Sequence, residues 1–285
     1  MPYEEWNSIT TEDINKGIVI VDKAITYDNG QETGIVPDFN EYVWVPIPDF
    51  ENFKPTAWNG PHWTDNYKVG EAPIAIAPTT DIEKEGKYWN DSTTVEYTNM
   101  KDSVEQYKGF YIGRYEASDN GSGIPQSKRN ILPWINVTQT TAVSASTKNT
   151  TKNIHLIYGI EWDSTLNWLI GNAVISSSEI GKTKTMELAD MQTNSNSWGN
   201  YTTSTGNAET GKGILQNTGY NESWKANNIY DLAGNVYEWT QERYSTGASK
   251  TLRGGYYYPD TNYYPVVSRY SSNEENWDDR SRFSN

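Results

Sequence analysis

The chain has 285 residues, 35% of them hydrophobic, and a formal net charge of −14 with no block of Lys and Arg to gather phosphates, so neither nucleic acid nor an anionic membrane is an expected partner. It contains no cysteine, which removes disulfides, thiolate nucleophiles, zinc clusters and copper–thiolate chemistry together. Twelve Trp and 21 Tyr against 5 Phe put much of the apolar volume into rings with a polar edge, which suits a loop-rich fold better than a helical bundle.

In chain order, the runs Gly17 to Thr26 and Tyr42 to Ile47 read as short strands around the Gly/Asn/Pro segment Asp28 to Asn40, and Pro46 and Pro48 close the second. Residues 50 to 95 read as long loops held by Trp58, Trp63 and Trp89. Met100, Val104 and Tyr107 predict a helix over Thr98 to Gly109 with Gly109 as its stop, followed by a strand over "FYIGRYEAS". The clearest helix is "NIHLIYGIEWDSTLNWLIGN", with Ile157, Ile160, Trp162, Leu166, Leu169 and Ile170 at helical spacing and Gly171 as its C-terminal signal. From Ser176 to Asn227 the chain is polar, with Trp198, Tyr201 and Trp224 as isolated anchors; this is too long for an ordinary connection and predicts a structured loop region or an insertion. The whole reads as α+β with few helices, short strands and much loop. Residues 1–40 are expected to be an N-terminal attachment or β-rich extension, and 41–285 the main domain. No signal peptide and no run of 18 apolar residues is present, so direct membrane insertion is not expected.

Few motifs carry chemistry. "GKT" at Gly181 to Thr183 lacks the phosphate-loop Gly, since Ser176 stands there. His62 and His155 are far apart without metal-type pairing, and five Asn-x-Ser/Thr sequons follow from an Asn- and Thr-rich composition. The most specific stretch is "NNIYDLAGNVYEWTQE", Asn227 to Glu242. There Gly234 is a turn residue, and Asn235 and Glu238 set an amide oxygen and a carboxylate three positions apart. Such an all-oxygen pair suits Ca²⁺, and it equally suits hydrogen bonds that hold the turn.

"NIYDLAGNVYEWT" followed by "LRGGYYY", with "GFYIGRYEAS" and "IEWDSTLNWL" upstream, resembles the formylglycine-generating-enzyme (sulfatase-modifying factor) family. The resemblance runs from about Glu41 to the C-terminus and is strongest from Ile229 to Gly255. It implies that family's variant of the C-type lectin fold and a structural calcium site at the matching Asn235 and Glu238. The family's enzymes hold copper with a cysteine pair, and related sulfoxide synthases hold iron with a histidine cluster. This chain supplies neither, so the resemblance implies the fold without that oxidative chemistry.

The tail departs from the enzymes in another way. Of the 24 residues from Tyr256 to Asp279, 15 are Tyr, Asn, Asp or Ser. In this the chain is similar to the variable proteins of diversity-generating retroelements, in which adenine-directed mutagenesis of Asn codons leaves that mixture near the 3′ end of the gene. Tyr gives large amphipathic contact area at low rotamer cost, and Ser, Asn and Asp add adaptable hydrogen bonds. The resemblance implies a non-catalytic receptor- or ligand-binding protein, carried on a phage virion or a bacterial cell surface, that captures a protein or glycan on another cell. Its variable region would span about 253–283. The expected display residues are Tyr256, Tyr257, Tyr258, Asp260, Asn262, Tyr263, Tyr264, Ser268, Tyr270, Ser271, Ser272, Asn273, Asn276, Trp277, Asp278 and Asp279. Arg253, Gly254, Gly255, Arg269, Arg280 and Phe283 are the expected framework, and Pro259 and Pro265 the loop formers. The alternatives are a fixed carbohydrate-binding module of the same fold and an enzyme working with carboxylates.

Overall fold

A computed structural model describes residues 9–22, 27–28, 31–32, 39–53, 95–148, 154–176, 182–192, 195–202, 213–243, 250–258, 265–268, 270–272 and 281–282. The anchors Trp58, Trp63 and Trp89, and His62 with them, lie outside these residues. The described chain is mixed helix and strand, with short elements and much loop. In order they are α1 (Thr11–Asn15), β1 (Val19–Val21), β2 (Tyr27–Asp28), β3 (Gln31–Glu32), β4 (Glu41–Pro46), α2 (Val95–Tyr107), β5 (Gly109–Gly113), β6 (Ala117–Asp119) and β7 (Pro125–Ser127). Then come α3 (Gln139–Ser146), α4 (Gly159–Leu169), β8 (Val174–Ser176), β9 (Thr183–Thr185) and α5 (Leu188–Gln192). The last are β10 (Lys225–Ala226), β11 (Ile229–Tyr230), β12 (Tyr237–Arg243), β13 (Lys250–Arg253), β14 (Tyr270–Ser272) and β15 (Ser281–Arg282).

Two sheets organise the rest. One has the order β1–β4–β5, and the other β14–β13–β12–β15, with β15 parallel to β12 and the remaining pairs antiparallel. In the first sheet Val43 and Val45 face Ile112 and Phe110 across the ladder, and all four belong to the larger hydrophobic cluster. That cluster also takes Trp162, Leu166 and Leu169 of α4 and the anchors Trp198 and Tyr201. A smaller cluster joins Ala142 and Ala145 of α3 to Leu156, Tyr237, Trp239, Leu252 and Tyr256.

The observed elements correct the expected ones for local reasons. The helix expected over Thr98 to Gly109 is α2, which ends at Tyr107 because Lys108 takes a left-handed φ of +63° and Gly109 already starts β5. The strand over "FYIGRYEAS" is broken at Arg114, whose N–H donates to the Glu41 carbonyl while its own carbonyl accepts from Tyr230 N–H. The long helix starts at Gly159 instead of Asn153: the carbonyls of Leu156 and Ile157 are taken by the side chain and N–H of Gln241 on β12, so this stretch pairs with a strand. Glu161 then caps the helix, its carboxylate accepting from Tyr158 N–H at 2.9 Å. α3, built from "QTTAVSAS", has little intrinsic helix propensity; Thr138 caps it at 2.8 Å, and the buried Ala142 and Ala145 hold it in place.

The described residues before position 40 are joined to the rest by strand pairing and side-chain hydrogen bonds. β1 pairs with β4 in the first sheet, and the side chains of Asn227 and Asn228 donate to the carbonyls of Asn15, Lys16 and Gly17. Residues 11–21 therefore pack as part of the same body.

Candidate functional site

The site is built on the turn between β11 and β12. Asp231, Gly234 and Asn235 all have positive φ, at +57°, +78° and +58°. A Cβ at Gly234 would stand 2.2 Å from the Asn200 carbonyl oxygen, so only glycine fits there. Asn235 is fully buried, and the backbone of Gln216 fixes which way its amide faces. Gln216 N–H donates to Oδ1 at 3.0 Å, and the Gln216 carbonyl accepts from Nδ2 at 3.2 Å. Oδ1 also accepts from Asn200 Nδ2 at 2.9 Å, and Nδ2 donates to the buried carboxylate of Glu116.

This turn then holds the start of the tail. Gly234 N–H and Tyr201 O–H both donate to the Gly254 carbonyl, at 2.8 and 2.7 Å. Tyr257 N–H donates to the Asn235 carbonyl at 3.1 Å, and the Tyr257 carbonyl accepts from Thr202 N–H and Oγ1 at 2.6 and 2.9 Å. Gly254 and Gly255 reach these partners with φ of +84° and +77°. Arg253, immediately before them, is fully buried and paired with the fully buried Asp163 of α4; its guanidinium lies 5.8 Å from the Trp162 ring and 3.9 Å from the Glu242 carboxylate. Burial leaves such carboxylates dependent on their cation.

The middle of the tail is anchored differently. Val266 and Val267 are fully buried in the larger cluster, Val266 N–H donates to Ser195 Oγ at 3.2 Å, and Ser268 N–H closes a turn on the Pro265 carbonyl at 2.8 Å. Beyond it, Tyr270, Ser271 and Ser272 pair with Leu252, Thr251 and Lys250, and Ser281 and Arg282 join β12 on the far side of the sheet.

Two of the expected display residues do not face solvent. Tyr256 is 6% exposed and packs on Tyr237, with ring centroids 4.7 Å apart, inside the smaller cluster. Ser268 is 2% exposed, drawn in by its neighbours Val266 and Val267. Tyr257 is half-buried, Tyr258 is 56% exposed, and Ser272 is half-buried. Tyr270 and Ser271 are placed by backbone register on the sheet edge. Asp260, Asn262, Tyr263, Tyr264, Asn273, Asn276, Trp277, Asp278 and Asp279 lie outside the described residues, as do Pro259, Arg269, Arg280 and Phe283. Sequence reading missed Asn200, Thr202, Ser195, Glu116 and Asp163 as partners of the tail and its turn. Only Val266 and Val267 carried a visible signal, as the aliphatic pair in a polar stretch.

The Asn235 side chain, expected as a calcium ligand, is engaged by protein groups. Its amide oxygen already accepts two hydrogen bonds, and its donor nitrogen is the atom that meets the Glu116 carboxylate. Glu238 is buried on β12 opposite Arg253, and among the described residues no group of three His, Cys, Asp or Glu is gathered. His155 pairs through Nε2 with Glu161 at 2.9 Å.

No protein-family model matches the chain, and no curated protein matches it. Among solved structures the chain is similar to PvdO from Pseudomonas aeruginosa, with 14% identity, a TM-score of 0.49, and 86% of this chain and 93% of that one covered. It is also similar to Treponema denticola variable protein 1, with 15% identity, a TM-score of 0.30, and 94% and 93% covered. At these scores neither likeness assigns a role to any residue.

Proposed function

We propose that the chain is a non-catalytic binding protein of the formylglycine-generating-enzyme subtype of the C-type lectin fold, and that its tail from Tyr257 to Asp279 is a diversified surface for a protein or glycan ligand on another cell. The observation that carries this reading is how the tail is held. Between Gly254 and Tyr257 the described hydrogen bonds from the framework meet backbone atoms: the Gly254 carbonyl, the Tyr257 N–H and the Tyr257 carbonyl. A segment anchored through its backbone tolerates exchange of its side chains, whereas one anchored through side chains does not. Arg253 and the Val266–Val267 pair supply the fixed side-chain anchors. On this reading the protein is carried on a phage virion or a bacterial surface. The composition supports it as well, since the tail mixes large amphipathic rings with short polar groups.

The test is to sequence the 3′ end of the gene across isolates of one population. Substitutions concentrated at Tyr257 to Asp279 in adenine-derived codons, with Arg253, Gly254, Gly255, Val266 and Val267 constant, are the expected result. An invariant tail with no mutagenic template beside the gene overturns the diversified reading.

A further inference from the structure

A second candidate site lies in a cleft of about 850 Å³ between α2, the β4–β5 pair and the stretch from Ile154 to Glu161, and none of its described lining residues belongs to the tail. This volume falls within the range of small-ligand sites. α2 lines it with two adjacent stripes. Glu96, Asn99 and Ser103 form a polar one, and Met100, Val104 and Tyr107 an apolar one, both at the three-and-four-residue spacing that places side chains on one helix face. The strands add Trp44 and Tyr111, which are cross-strand partners with ring centroids 4.8 Å apart and planes tilted by 59°. Tyr107 is 64% exposed and Tyr111 44%, so large rings gather at one place on the surface instead of being scattered. Deeper in, the Glu161 carboxylate is oriented by Tyr158 N–H and His155 Nε2, both at 2.9 Å.

The lining chemistry selects a ligand class. No described Lys or Arg lines the cleft, His155 is already paired with Glu161, and Glu96 adds a carboxylate, so a phosphate or carboxylate ligand meets no cation that is not already paired with a carboxylate. Asn99 and Ser103 add an amide and a hydroxyl, which both donate and accept. Flat rings beside a row of mixed donors and acceptors match a pyranose, whose C–H face is apolar and whose hydroxyls need partners of both kinds. We propose that this cleft binds a short neutral saccharide, with Tyr111, Trp44 and Tyr107 carrying its apolar faces and Glu96, Asn99 and Ser103 its hydroxyls. This second site stands whether or not the tail varies.

The experiment is a glycan array with the full chain, followed by isothermal titration with cellotriose, maltotriose and chitotriose and with choline as the organic-cation control. Tyr111→Ala and Asn99→Ala remove exposed side chains, and their melting curves check folding. The expected result is saturable binding of at least one saccharide, weakened about tenfold or more by each of the two substitutions and unchanged by Leu132→Ala, at an exposed residue outside both the cleft and the tail. Binding lost in Tyr258→Ala and kept in Tyr111→Ala places the glycan on the tail and overturns the cleft, while leaving the tail's ligand role intact. Saturation by choline without saccharide binding, or no binding of any array glycan and any trisaccharide, also overturns it.

Discussion

Asn235 shows how one side chain can substitute for a binding partner. It has a left-handed backbone, which asparagine tolerates better than most residues, and its amide satisfies both backbone groups of Gln216 while joining Asn200 to Glu116. Asn235→Ala strands these buried groups and is expected to lower unfolding free energy by about 2–4 kcal/mol, measured by denaturant titration. Asn235→Asp turns a carboxylate oxygen toward Glu116 and is expected to destabilise at pH 7, with stability recovering as pH falls and one of the pair takes up a proton. Added calcium tests a cation at Asn235 and Glu238: a rise in melting temperature that Asn235→Ala abolishes would support it, and an unchanged melting temperature would remove it. On the surface, burial pushes the Glu222 carboxyl up, and hydrogen bonds from Lys225, Tyr230 and Arg129 outweigh it and hold it at about 2. A depressed carboxylate contributes stability above its unfolded value of 4.5 and loses it as pH falls toward about 2. Glu222→Gln is therefore expected to be less stable than the parent at pH 7, with the difference closing between pH 4.5 and about 2 in acid titrations.

At the scale of elements, β13 and the Val266–Val267 turn divide the work of fixing the tail. Arg253→Ala leaves Asp163 and Glu242 buried without their guanidinium, an expected loss of about 3–5 kcal/mol. Val266→Ala is expected to cost about 1–3 kcal/mol, and Tyr258→Ala to stay within about 0.5 kcal/mol, both read from thermal or denaturant unfolding. Reversal of that order would mean that the exposed ring, not the buried valine, fixes the tail. The elements were legible in sequence where a periodic apolar pattern met its own local stop. Leu166, Leu169 and Gly171 marked the end of α4, and Met100 and Val104 marked α2. The start of α4 was not legible, because Gln241 takes the carbonyls of Leu156 and Ile157 from 84 or more positions away. The same physics hid the turn's partners, since Glu116 and Asn235 are 119 residues apart and nothing local announces the pair. Composition did reveal the tail's chemical character, but burial of Tyr256 depends on Tyr237 across the sheet, which composition does not encode.

For the molecule as a whole, the tail's described parts are distributed around one sheet. β14 and β15 occupy its two edges, with β13 and β12 between them. Both ends of the segment 273–280 are thereby set by backbone pairing, at Ser272 and Ser281. A library randomised at Tyr258, Asp260, Asn262, Tyr263, Tyr264, Asn273, Asn276, Trp277, Asp278 and Asp279 is expected to keep most members folded, as judged by protease resistance of displayed variants. A library at Arg253, Val266 and Val267 is expected to lose most of them. Equal survival of the two would remove the distinction between framework and display.

The Asn227–Asn228 corner has a mechanical consequence. It clasps residues 15–17 through side-chain amides, across a separation of more than 200 residues, and it immediately precedes the turn that holds Gly254 and Tyr257. If residues 11–17 were held while a captured ligand tugged at Tyr258, the tension would divide between the β1–β4 ladder and this corner. The load would enter at Gly254, which the turn holds and which follows Arg253 beside the Trp162 ring. The tail and the N-terminal strap are thus joined by a short route of buried backbone and side-chain amide hydrogen bonds.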